Sequence, residues 1–106
     1  MVTFTVTYPC QEDGFFDMDY YCNKHLMTAR RYFGDSCKSI VVIRAVKGYE
    51  DYKPDFEAQA ILTFNSADEF VRVMEPADAE LTDDVANFTN IEPLFQISEI
   101  TMDEKY

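Results

Sequence analysis

Apolar and polar residues alternate strictly at the start of the chain. Val2, Phe4, Val6 and Tyr8 are separated by Thr3, Thr5 and Thr7. A period of two in strand-favouring residues predicts a strand with one apolar face, ended by Pro9. After a polar loop through Gln11, Glu12, Asp13 and Gly14 the period changes. Asp17 is placed to cap a helix, and Asp19 in the first turn opposes the helix dipole. At about 100° per residue, Met18, Cys22, His25, Leu26, Ala29 and Phe33 fall within an arc of roughly 100°. The helix therefore runs to about Phe33 and stops at Gly34. The chain's one histidine, His25, lies inside the apolar arc. This helix is expected to pack on a sheet and to bury His25 there.

Ser39 to Lys47, rich in Val and Ile, reads as a second strand, and Gly48 to Asp55 as a loop. Ala58, Ala60, Leu62 and Phe64 alternate with polar neighbours and form a third strand. The small Ala58 and Ala60 leave room for a helix to approach or for a cavity. Ser66-Ala67-Asp68-Glu69 is a capping box and starts a second helix through Phe70, Val73 and Met74. Pro76 interrupts it. Asp78 to Asp84 makes a further helical segment whose charges read as a solvated face. Phe95 and Ile97 mark a last strand ending near Thr101, and Met102 to Tyr106 reads as a loose tail. The order β-α-β-β-α-β in 106 residues predicts a single α+β domain over 1–106. It is the ferredoxin-like arrangement, a four-stranded antiparallel sheet with both helices on one face. The other face, with Val41, Ile43 and Ile61, is left bare and partly apolar. A homodimer that closes it face to face is expected.

Charge narrows the partners. The formal net charge is −11, from 20 acidic and 9 basic residues. That balance argues against nucleic acid, which needs clustered Lys and Arg. It argues equally against an anionic membrane surface. No apolar run approaches the length of a membrane span. Cys10, Cys22 and Cys37 are odd in number and contain no C-x-x-C, so neither a disulfide framework nor a zinc site is expected. A reducing, cytoplasmic setting is the natural inference. Cys22, on the apolar arc, reads as a small core residue. No phosphate loop, H-E-x-x-H or nucleophile elbow occurs, and no metal or cofactor is expected.

Two runs carry a resemblance. Phe16-Asp17-Met18-Asp19-Tyr20-Tyr21 followed by His25-Leu26 is similar to the first-helix signature of the EthD family. Asn87-Phe88-Thr89-Asn90-Ile91-Glu92-Pro93, with Gln96-Ile97-Ser98-Glu99 after it, resembles that family's C-terminal motif. The likeness runs over nearly the whole chain. It implies a small dimeric α/β-barrel protein, from a family named for a role in degradation of ethyl tert-butyl ether. Relatives in the superfamily include cofactor-free monooxygenases, lactone isomerases and polyketide-tailoring enzymes. Two departures stand out. Family members often carry a proline two residues after the helix histidine, where this chain has Met27. Many carry a histidine after the proline of the second helical region, where this chain has Ala77.

His25 is the candidate catalytic group, because imidazole serves as base and acid near neutral pH. Desolvated between helix and sheet, it favours its neutral form. A core histidine bonded to a carbonyl or a tyrosine is the alternative. Candidate ligand contacts are Tyr8, Tyr21, Phe16, Asn87 and Thr89, each with a packing or turn-forming alternative. Glu92 is a candidate partner for His25 if its loop folds over the helix. The functional expectation is a small hydrophobic, oxygenated organic ligand, with cofactor-independent proton-transfer, lyase or monooxygenase-type chemistry. The rivals are a non-enzymatic binding or accessory protein and a purely structural dimer module.

Overall fold

A computed structural model describes residues 1–106. Four antiparallel strands form one sheet in the order β2-β3-β1-β4. They are β1 (Val2–Pro9), β2 (Cys37–Arg44), β3 (Phe56–Phe64) and β4 (Leu94–Glu99). One face is covered by helices, and the molecule is only 19 Å thick in its shortest dimension, the depth of two layers. The alternation of β1 sends Phe4, Val6 and Tyr8 to the helix side, where all three are buried. Ala58, Ala60, Leu62 and Phe64 of β3 lie beside them and are buried too. The fold expected from element order, ferredoxin-like and antiparallel, is the one observed. No helix is long and apolar enough to cross a membrane.

The first helical stretch departs from its expected form. It consists of α1 (Met18–Tyr20), a π-helical turn (Tyr21–His25) and α2 (Leu26–Phe33). Asp17 caps it, its carboxylate accepting the Tyr20 N–H at 3.1 Å. In the π turn the Leu26 N–H reaches back five residues to the Tyr21 carbonyl. Tyr21 thereby takes the buried position below Leu26 that a regular helix gives to Cys22. Tyr21 is buried and Cys22 is only half-buried, which corrects the reading of Cys22 as core. Gly34 ends the stretch with φ of 53°, a left-handed value that favours glycine.

On the same face of the sheet, beside α2, Ser66 caps α3 (Ala67–Met74) by accepting the Glu69 N–H at 3.1 Å. Pro76 separates α3 from α4 (Asp78–Asp84). Strand ends shift slightly from expectation. β2 begins at Cys37 and carries an irregularity before Ser39, and β4 ends at Glu99. Two aromatic clusters fill the interface between helices and sheet. Phe4, Phe33, Phe64 and Phe70 form one, with Phe4 and Phe70 stacked at 4.3 Å. Tyr8, Phe16, Tyr21 and Phe88 form the other, with Tyr8 against Phe16 at 4.8 Å.

The bare face follows from the strand registers. Its three central rows are Ser39-Thr63-Thr3-Ser98, Val41-Ile61-Thr5-Gln96 and Ile43-Gln59-Thr7-Leu94. No charged residue stands in these rows, in a chain of net charge −11. Val41 is 50% exposed and Leu94 61%.

Candidate functional site

The two distinctive sequence runs lie against each other. The Asp17 N–H donates to the Phe88 carbonyl at 2.8 Å. The Thr89 hydroxyl donates to the Phe15 carbonyl at 2.6 Å and accepts the Ile91 N–H at 3.0 Å. Asn90 accepts the Phe15 N–H at 2.9 Å and donates to the Asp13 carbonyl at 3.0 Å. These bonds pin the loop before α1 to the turn before β4. The π turn is fixed at that junction, and Phe88 packs under it, 4.6 Å from the His25 ring.

His25 is 7% exposed. Its Nδ1 lies 2.9 Å from Oδ2 of Asp84, the last residue of α4. The other carboxylate oxygen accepts the Tyr20 hydroxyl at 2.6 Å and the Asn87 amide at 2.9 Å. Burial alone raises a carboxylic acid, but the hydrogen bonds from Tyr20, Asn87 and His25 outweigh it and hold Asp84 below its ordinary value. Burial pushes His25 below its ordinary 6.5, and Asp84 opposes that only in part. The pair is therefore neutral imidazole and ionised carboxylate near neutral pH. Nδ1–H donates to Asp84, and Nε2 keeps its lone pair. Nε2 has no protein partner, and no buried side-chain nitrogen or oxygen is left unpaired, so Nε2 is open to the space beside it.

His25 lines a cavity of about 300 Å3 between the sheet and the helices. His25 shares its wall with Tyr8 and Tyr21, both 1% exposed. Leu26, Ala29 and Phe33 of α2 line one side, Leu81 of α4 and Val85 another, and Phe4, Val6 and Leu62 the floor. Phe95 of β4, 62% exposed yet stacked 5.8 Å from Phe4, stands at the rim with Pro93 and Asp78. Burial raises the Tyr8 phenol to about 12 and the Tyr21 phenol further.

The candidate residues divide. His25, Tyr8 and Tyr21 meet in the cavity. Phe16 does not line it, because its ring is spent on Tyr8, Tyr21 and Phe88. Thr89 is buried away from it with its hydroxyl fully engaged in the turn. Asn87 is exposed and reaches the site only through Asp84. Glu92 is exposed and is not the partner of His25. The partner is Asp84, from a segment read as a solvated face. A signal for it existed. On α4 Asp84 stands about 60° from Leu81, at the edge of the apolar stripe that Val85 continues, whereas Asp83 stands on the opposite side.

Chemically, a carboxylate that orients a neutral imidazole and stabilises its protonated form makes a general base and acid of the remaining nitrogen. The walls around it are apolar, which strengthens that electrostatic support.

Neither a family model nor a curated protein matches the chain. Solved structures do. An EthD-like protein from Ralstonia eutropha is 32% identical over 97% of this chain and 94% of its own, with a TM-score of 0.89. SnoaB, a cofactor-independent oxygenase from Streptomyces nogalater, shares the fold at 11% identity, covering 96% of this chain and 94% of that one, with a TM-score of 0.59. A dimeric protein of unknown function and ferredoxin-like fold from Bacteroides fragilis shares it at 12% identity, 93% and 95% coverage, and a TM-score of 0.52.

Proposed function

The chain belongs to the EthD family, and on that premise we propose that it binds a small hydrophobic, oxygen-bearing organic compound in the His25 cavity and moves a proton on it without a cofactor. The observation that carries this reading is the pairing of Asp84 with Nδ1 of His25, a residue that lines an apolar cavity and whose Nε2 has no protein partner. The cavity falls at the lower end of the size range of small-molecule sites and has their make-up, apolar walls with a few placed polar groups. His25 is assigned as general acid and base, Asp84 as its positioning partner, and Tyr8 and Tyr21 as ligand contacts. Cofactor-free chemistry on this scaffold has a parallel in SnoaB. The protein acts as a homodimer, in keeping with the uncharged rows of its bare sheet face and with the dimeric Bacteroides fragilis structure.

One observation favours a second reading, a binding or accessory protein without turnover. Ala77, where many relatives carry a second histidine, is fully buried and brings no acid or base to the cavity. A single set of measurements separates the two. Wild type, His25→Ala and Ala29→Leu are screened by thermal shift and product analysis against one- and two-ring phenols and ketones. Ala29 lines the cavity and is buried, so leucine there fills ligand space. An active wild type, a folded but inactive His25→Ala and a folded Ala29→Leu that no longer responds to ligand support the enzyme. Ligand-dependent stabilisation of wild type without product supports the accessory role. No shift with any compound overturns the cavity as a binding site.

A further inference from the structure

The cavity is lined by a hydrogen-bond acceptor and a donor and carries no positive charge. The acceptor is Nε2 of His25, since Nδ1 is engaged by Asp84 at 2.9 Å. The donor is Tyr8. Its phenol lines the cavity wall with that of Tyr21, and both stay protonated near neutral pH. No lysine or arginine lines the cavity, and Asp78 is its one formally charged lining residue. A second carboxylate, Asp84, lies directly behind the imidazole. An anionic ligand would lose hydration against apolar walls and meet carboxylates instead of a counter-ion.

Resting on the cavity reading above, we propose that the substrate is an uncharged, enolisable carbonyl compound of one or two rings, its carbonyl oxygen on the Tyr8 hydroxyl and its α-hydrogen facing His25 Nε2. The bonding then balances without a co-reactant. The α C–H bond breaks, its proton passes to Nε2, its electron pair becomes the new C=C π bond, and the C=O π pair moves onto the oxygen. The enolate oxygen accepts the Tyr8 O–H, and Asp84 stabilises the imidazolium through Nδ1–H. Return of the proton to the same carbon gives exchange, and return to a conjugated carbon gives isomerisation. Nothing is oxidised or reduced.

The test uses two fused-ring probes of similar size, uncharged β-tetralone and anionic β-naphthoate. Binding is measured by titration calorimetry near neutral pH, and α-hydrogen exchange of β-tetralone by NMR in deuterated water. β-Tetralone is expected to bind at least about tenfold tighter than β-naphthoate. Wild type is expected to accelerate exchange about a hundredfold or more relative to His25→Gln, the usual scale for general acid–base catalysis. Tyr8→Phe should slow exchange at least about tenfold while still binding β-tetralone, and it keeps the test open should His25→Gln fail to fold. β-Naphthoate binding as tightly as β-tetralone overturns the uncharged class and leaves the cavity a ligand site. Bound β-tetralone that exchanges no faster than in buffer overturns the enolisation. If neither probe binds, the proposal falls together with the cavity reading.

Discussion

At the scale of the residue, the site is one imidazole whose charge is decided by two opposing effects. Burial lowers its pKa, and the Asp84 carboxylate on α4 raises it by less. The facing phenols, Tyr8 on β1 and Tyr21 in the π turn, are neutral over the relevant range. Because the chain has one histidine, its ring C–H resonance reports the balance alone. NMR titration should give a midpoint below 6.5, and Asp84→Asn should move it lower still by removing the only opposing charge. The sign for stability follows. The folded state holds His25 neutral where the unfolded chain already binds a proton, so its contribution is complete above the unfolded value. That contribution is lost as pH falls from 6.5 toward the folded midpoint. Denaturant midpoints should decline across that window in wild type, and the decline should flatten in His25→Gln. A wild-type midpoint above 6.5 sinks the neutral-base assignment. His25 was legible in the sequence because it stood inside an apolar arc. Asp84 was harder to see, because it stands among Asp78, Glu80 and Asp83, and Asp78 lies at the same angle of about 60° from Leu81.

At the scale of the element, periodicity located the strands and helices because each buries one face, and burial is what the pattern records. It could not locate the π turn. That turn hides one extra residue inside an otherwise regular stretch, next to a tertiary junction at which Thr89 and Asn90 bond to the loop before α1. The consequence is measurable. With Leu26 bonded to Tyr21, the tyrosine is core and Cys22 is not. Tyr21→Ala should cost about 3–5 kcal/mol in chemical denaturation, the usual range for a large buried aromatic. Cys22→Ala should cost about 1 kcal/mol or less, as a half-buried small residue does. Equal costs, or the reverse order, would mean a regular α-helix at this point. The Asn87–Pro93 run illustrates the other side of legibility. Its polar residues were read as possible ligand contacts, yet the structure spends Thr89 and Asn90 on backbone groups far away in sequence. Long-range hydrogen bonds of that kind leave no periodic trace.

At the scale of the whole molecule, charge and the bare sheet face belong together. A chain of net charge −11 repels its own copies almost everywhere on its surface. The rows centred on Val41-Ile61-Thr5-Gln96 carry no charge, so the proposed dimer would close there without facing like charges. An isologous contact applies every substitution twice, so one acid at its centre becomes a pair of opposed acids. Val41 suits the test because it is 50% exposed in the single chain and its side chain is not needed by the core. Val41→Asp should leave the circular dichroism of the fold unchanged. In sedimentation at micromolar concentration it should convert a species of twice 12.3 kDa into one of 12.3 kDa. A conservative Val41→Thr, which restores the uncharged face, should sediment like wild type. The cavity lies on the helix side of the same sheet, so a Val41→Asp monomer also shows whether ligand binding depends on the second copy. A wild-type protein that is already monomeric at that concentration leaves the bare face without its partner and removes the dimer from the proposed function.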